Sequence, residues 1–151
     1  MNYFPDEVSI GFQEVPDEIS LIIPFSGCGN SCYNCHSPHY QNSNNGVPFS
    51  ICTLIELLEK HKEKISCVCF FGNDTIELQS FFLYIKKVYK LKIAFYSGNN
   101  SVSTMKNLDY IKLGQFIDGL GGLDSEKTNQ CFYKVENIRL KNITYKFWRQ
   151  Q

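Results

Sequence analysis

Four short, nearly apolar runs separated by polar loops and helix-patterned segments constrain the fold of this chain more than any other feature. Ile19 to Pro24, Cys67 to Phe71 and Leu91 to Tyr96 read as buried strands, because their apolar side chains run on without the alternation of a half-exposed strand. Between the first two, Ser50 can cap a helix whose Ile51, Leu54, Ile55 and Leu58 recur at helical spacing. Between the next two, a second helix places Leu78, Phe81, Phe82, Ile85 and Val88 on one face and turns Lys86, Lys87 and Lys90 to water. A short helix near Val102 to Asn107 then leads to a fourth strand, Tyr110 to Leu113. This β-α-β-α-β-α-β order predicts an α/β fold with a small, mostly parallel sheet and crossover helices. A short strand at Val8 to Gln13, a turn at Val15 to Glu18 and an edge strand at Ile143 to Trp148 complete the expected elements. Gly119 to Gly122 reads as a turn or a partner-facing loop, since no Lys-Ser/Thr follows to make it a phosphate loop. No repeat or linker divides residues 1–151, so one domain is expected.

In parallel sheets, ligand sites gather at the carboxyl ends of the strands. The first of those ends carries Ser26-Gly27-Cys28-Gly29-Asn30-Ser31-Cys32-Tyr33-Asn34-Cys35-His36, a Cys-x3-Cys-x2-Cys array. Gly27 and Gly29 relieve the crowding of a loop that must turn several thiols inward. The opening residues Met1 to Gln13 are acidic without a long apolar run, and Ile19 to Phe25 is far too short to span a bilayer. A cytoplasmic protein without membrane contact is therefore expected. There, seven cysteines point to metal or redox chemistry rather than disulfides. Lys plus Arg and Asp plus Glu both number 15, so no bulk positive charge is available to grip nucleic acid.

Several ligands suit the array on residue chemistry alone. Cys28, Cys32, Cys35 and His36 make a Cys3His set for zinc in a non-catalytic binding module, although adjacent Cys35 and His36 fit one tetrahedron awkwardly. Cys32 to His36 is literally a C-x-x-C-H haem-attachment sequence. Three cysteines without a fourth also suit an iron–sulfur cluster with one iron left open to substrate. Cys67 and Cys69 fall on one face of a strand and read as buried thiols, while Cys52 on a helix and Cys131 in a late loop have no evident partner.

The array following the first core strand resembles that of the radical S-adenosylmethionine superfamily. Most of the chain is similar to the activating proteins of anaerobic, glycyl radical ribonucleotide reductases. The likeness runs through Phe12 to Pro16, Ser26-Gly27-Cys28, Cys35 to Pro38, Phe71 to Asp74, Tyr96 to Gly98 and Asp109 to Lys112. It ends with Gly121 to Ser125, Thr128-Asn129-Gln130 and Phe132-Tyr133. Two departures are Asn34, where the superfamily usually has an aromatic, and Asn73, where Gly-Gly-Glu has its second glycine.

The resemblance implies a reduced partial (β/α) barrel. In it, Cys28, Cys32 and Cys35 ligate a 4Fe–4S cluster whose fourth iron chelates S-adenosylmethionine. Gly72, Asn73 and Asp74 would accept hydrogen bonds from the ligand's ammonium, Ser97 and Gly98 would touch its methionine or ribose part, and Asn34 and His36 its adenine. Asp74 also reads as a cap for a helix starting near Thr75. The implied partners are a large anaerobic ribonucleoside-triphosphate reductase subunit and a one-electron donor such as a flavodoxin. Another glycyl radical enzyme or a small-molecule substrate is the alternative target.

Overall fold

The computed structural model describes residues 1–103 and 105–148. In chain order the strands are β1 (Asn2–Tyr3), β2 (Ser9–Gly11), β3 (Ser20–Pro24), β4 (Val47–Pro48), β5 (Cys67–Phe71), β6 (Lys92–Tyr96), β7 (Tyr110–Leu113), β8 (Cys131–Glu136) and β9 (Arg139–Asn142). The helices are α1 (Ile51–His61), α2 (Leu78–Tyr84), which runs on as a π turn over Ile85–Tyr89, and α3 (Tyr145–Trp148). Among the described residues, seven strands form one mixed sheet in the order β2-β3-β5-β6-β7-β8-β9. The fold is thus α/β. Strands β3, β5, β6 and β7 are parallel, while β2, β8 and β9 join them antiparallel.

Buried apolar runs and a good cap explain the parallel half. Ser50 accepts from the Thr53 N–H at 3.2 Å, satisfying a donor at the start of α1. Leu54 and Leu58, one turn apart, are fully buried, each contributing about 2 kcal/mol of apolar transfer. With Phe82 and Ile85 they cover the sheet face formed by Leu21, Ile23, Val68, Phe70, Ile93, Phe95 and Ile111. The opposite face, with Cys67, Cys69, Ala94, Tyr110 and Phe132, is roofed instead by Val15, Leu123 and Phe147. That second face therefore carries loops and a four-residue helix.

Several expectations are corrected. The described residues of 102–107 form turns rather than a helix, and Thr104 lies outside the described residues. Ile143 to Trp148 is not an edge strand. Thr144 Oγ1 accepts from the Phe132 N–H at 2.8 Å and Phe147 packs edge-on against Phe132 at 5.1 Å, which folds the segment back as α3. Cys131 opens strand β8 rather than sitting in a loop. Lys86 does not face water freely but pairs with Asp109, whose carboxylate also accepts from the Ile93 N–H at 2.7 Å. Val88 is exposed, because the π turn, closed by Lys90 N–H on the Ile85 carbonyl at 2.9 Å, rotates it away from the buried stripe.

At the amino end of the parallel strands, buried Glu18 takes hydrogen bonds from Ser66 Oγ at 2.6 Å and Tyr110 at 2.9 Å and pairs with Lys92. No helix among the described residues is long and apolar enough to cross a membrane.

Candidate metal and ligand site

At the carboxyl ends of the parallel strands the cysteine loop leaves β3. Gly27, at φ +88°, turns the chain. The N–H groups of Gly27 and Cys28 then both donate to the Tyr40 carbonyl, at 2.7 and 3.0 Å. Tyr40 is itself fixed: its hydroxyl donates to Glu7 at 2.5 Å and its ring stacks on Phe4 at 5.0 Å. Burial, then the hydrogen bond to Glu7, push the Tyr40 phenol well above its ordinary range, so it stays a donor at neutral pH. His39 lies 2.6 Å from the other Glu7 oxygen.

Further along, Asn30 donates to Asn99 at 3.2 Å and lies 3.9 Å from the Cys28 sulfur. Asn34, at φ +53°, donates to Asp118 at 3.0 Å. The His36 ring rests on Phe116 at 4.9 Å, and the Ser37 N–H donates to the Cys35 sulfur at 3.4 Å.

Cys28, Cys32, Cys35 and His36 share the wall of one cavity of about 240 Å³ with Gly72, Ser97 and Gly98. The ends of β3, β5 and β6 meet there, as the strand register requires. Gly72 sits at φ +106°, and a Cβ on it would collide with the Phe25 carbonyl, so this strand end admits only glycine. Positive φ at this strand end falls on Gly72 and not on Asn73, so the asparagine in place of the second glycine meets no backbone strain. A Cβ at Gly98 would come within 2.5 Å of Asn30 Nδ2, so the loop packs directly on this backbone. Ser97 is buried and its hydroxyl accepts from the Asn99 N–H at 3.0 Å.

Three sequence candidates stand apart from the cavity wall. Asn34 is engaged by Asp118. The Asn73 amide lies over Gly27. Asp74 accepts from the backbone and hydroxyl of Ser103, at 2.9 and 3.0 Å, instead of capping a helix; α2 begins only at Leu78.

Lys112 and Gln130, which belong to the resembling segments Asp109 to Lys112 and Thr128 to Gln130 but had no expected site role, line the cavity. Lys112 is 8% exposed and donates to the Gly114 carbonyl at 2.5 Å and the Ser97 carbonyl at 3.4 Å. Burial pushes its ammonium down to about 8, against an opposing pull from Cys32 and Cys28. For Lys112 the signal was a charged residue inside an otherwise apolar strand; for Gln130 it was only its place in the resembling segment Thr128-Asn129-Gln130.

The loop thiols are free and partly exposed. Burial lifts Cys67 to about 12 and Cys69 well above its ordinary value, so these two stay protonated and are poor metal ligands. Among the described residues no three His, Cys, Asp or Glu side chains are grouped closely enough to hold a metal ion. Cys28, Cys32 and Cys35 line one hollow without converging on a point. By chemistry the donor set fits an iron–sulfur cluster: soft thiols on one short loop, with N–H groups directed at two of the sulfurs. Comparison with protein-family models, curated proteins and solved structures finds no match to this chain.

Proposed function

We propose that the chain is a radical S-adenosylmethionine enzyme that generates the glycyl radical of an anaerobic ribonucleoside-triphosphate reductase, its sheet a reduced form of that superfamily's partial barrel. One observation carries the reading. Three thiols from a single loop share a cavity with Gly72, Ser97 and Gly98 at neighbouring parallel strand ends. Cys28, Cys32 and Cys35 would hold a 4Fe–4S cluster. Held by those residues, the group would supply one-electron reduction of S-adenosylmethionine, with a donor such as a flavodoxin as the electron source, the S–C5′ bond broken, methionine as the leaving group and a glycine of the reductase as the hydrogen source for the deoxyadenosyl part.

The chain's own groups orient and shield. The side-chain-free edge at Gly72 leaves room for the ligand's ammonium beside backbone acceptors. Ser97 and Gly98 border its methionine and ribose part, and His36, steadied by Phe116, borders the adenine. Phe71 and Tyr96, stacked at 4.4 Å, form an apolar wall that keeps water from the reacting atoms. Such a protein works in the cytoplasm.

The test is anaerobic reconstitution with iron and sulfide, reading iron, acid-labile sulfide and deoxyadenosine from one sample. Wild type is expected to load and to release deoxyadenosine under reductant, and C32S to lose both. Addition of the reductase is expected to give a glycyl radical signal in electron paramagnetic resonance. Zinc alone in oxygen-free material, or full cleavage by C32S, would refute the assignment.

A further inference from the structure

Strand β9 ends the sheet, and among the described residues no strand pairs with its outer edge. Arg139 to Asn142 are all exposed. The Val135 N–H donates to the Asp109 carbonyl, on the β7 side, at 2.8 Å, and the Ile143 N–H donates to the Phe132 carbonyl at 2.8 Å. The register sets Val135 against Leu140 and Tyr133 against Asn142. Antiparallel alternation then turns the N–H and C=O of Leu140 and Asn142 outward, away from β8. An extended segment laid antiparallel along β9 can complete all of these groups.

The side chains select the segment. Glu136 faces Arg139 and Lys134 faces Lys141, so these four share one face of the hairpin. Lys134 and Glu136 pair with each other at 2.9 Å, which leaves Arg139 and Lys141 as two exposed cations along the edge. On the other face Leu140 lies with Val135, beside a hollow of about 530 Å³ lined by Leu108, Val135, Asn137 and Ile138. Ile138, 81% exposed at φ +70°, holds a large apolar side chain at the rim of that hollow, in a turn position that glycine fills without steric cost.

Charges on an edge strand keep copies of one chain apart, and these do so. Antiparallel self-pairing centred on Leu140 would set Arg139 against Lys141 twice, with like charges directly opposed. An acidic strand meets the same two positions with attraction, and the apolar residue between its acids falls opposite Leu140.

We propose that β9 is a docking edge for an extended acidic segment of a partner protein, added antiparallel to the sheet with an acidic–apolar–acidic triplet opposite Lys141, Leu140 and Arg139. The β8–β9 turn lies at the amino end of the parallel strands and the cysteine loop at their carboxyl end, so this edge does not depend on the function proposed above.

The probe is acetyl-Thr-Glu-Val-Glu-Thr amide, titrated at low salt into the full-length ¹⁵N-labelled protein. Saturable shifts and slowed hydrogen exchange are expected at the Leu140 and Asn142 amides, with affinity falling as salt is added. Acetyl-Thr-Lys-Val-Lys-Thr amide is expected not to bind. The glutamate peptide N-methylated at its valine keeps both charges but loses the N–H set against Leu140, and is expected to bind about tenfold more weakly or worse. R139E/K141E is expected to reverse the preference, losing the glutamate peptide by about tenfold or more and gaining the lysine peptide. That gain also shows that the variant is folded.

The proposal is overturned if the Leu140 and Asn142 resonances do not move up to the solubility limit of the glutamate peptide. Equal binding of the lysine or N-methylated peptide overturns it too, as do shifts centred on the cysteine loop or a dimer formed through β9 without peptide. Iron loading and deoxyadenosine release play no part in this titration, so failure of the proposed function would leave its outcome readable.

Discussion

Replacing Lys112 with methionine should stabilise the cluster-free protein at neutral pH and lose that advantage in alkali. Lys112 is 8% exposed, and its acceptors are two backbone carbonyls, at 2.5 and 3.4 Å. Its folded-state value of about 8 lies below the ordinary 10.5, chiefly because burial penalises the charge. That difference corresponds to about 3 kcal/mol against the charged form in the fold. Methionine keeps the length, removes the charge and forfeits one good hydrogen bond worth about 1 kcal/mol. The expected net gain is about 1–2 kcal/mol at pH 7.

The sign follows from proton uptake. Below about pH 8 both folded and unfolded states carry the proton, and the wild type bears the whole penalty. Between about 8 and 10.5 the unfolded chain holds more protons than the fold, so wild-type stability rises with pH relative to the variant. Urea unfolding followed by the fluorescence of the single tryptophan, Trp148, at pH 7 and pH 10 with reductant present, measures the difference at each pH. A variant less stable than wild type at pH 7, or a gap that does not change with pH, would refute the reasoning.

Two further outcomes follow from backbone geometry. G72A should lose more than about 2 kcal/mol in urea unfolding, because φ +106° is strained for alanine and its Cβ would meet the Phe25 carbonyl; a loss below about 0.5 kcal/mol would contradict that geometry. I138G should raise the thermal midpoint, by relief of about 1 kcal/mol, since Ile138 is 81% exposed and holds φ +70° in the two-residue turn between β8 and β9; an unchanged or lower midpoint would show that the turn is not strained.

The elements most legible in the sequence are those defined by burial. Cys67 to Phe71 and Tyr110 to Leu113 form strands over the expected residues, and Ser50 caps α1 as its hydroxyl suggested. The β8–β9 hairpin was hidden because Asn137-Ile138 lacks the glycine that marks such turns and β9 is exposed at every residue. The apolar residues of 143–148 suggested alternation, but the contact of Phe147 with Phe132, distant in sequence, decides for a helix. At the site, the clustered cysteines were readable from their spacing and the strand-end Gly72 and Ser97 from the resemblance; adjacent parallel strand ends bring them together. The places of Tyr40 and Gln130 were not, and Lys112 was marked only by its charge in an apolar strand. Their places depend on the 3-10 turn at Pro38–Gln41 and on the β7–β8 register, neither of which leaves a local pattern.

The mooring of the cysteine loop bears on how a cluster would be taken up if the proposed function holds. Its entry hangs from the Tyr40 carbonyl by two short bonds, whereas its middle is held by the exposed contacts Asn30–Asn99 and Asn34–Asp118. Each of those polar contacts is worth about 1 kcal/mol or less, because water replaces either partner readily. Drawing three sulfurs together therefore exchanges a few cheap surface links and leaves the strands beneath in register. The scaffold is stiff where the loop begins and yielding where the three thiols of the proposed cluster site would have to travel.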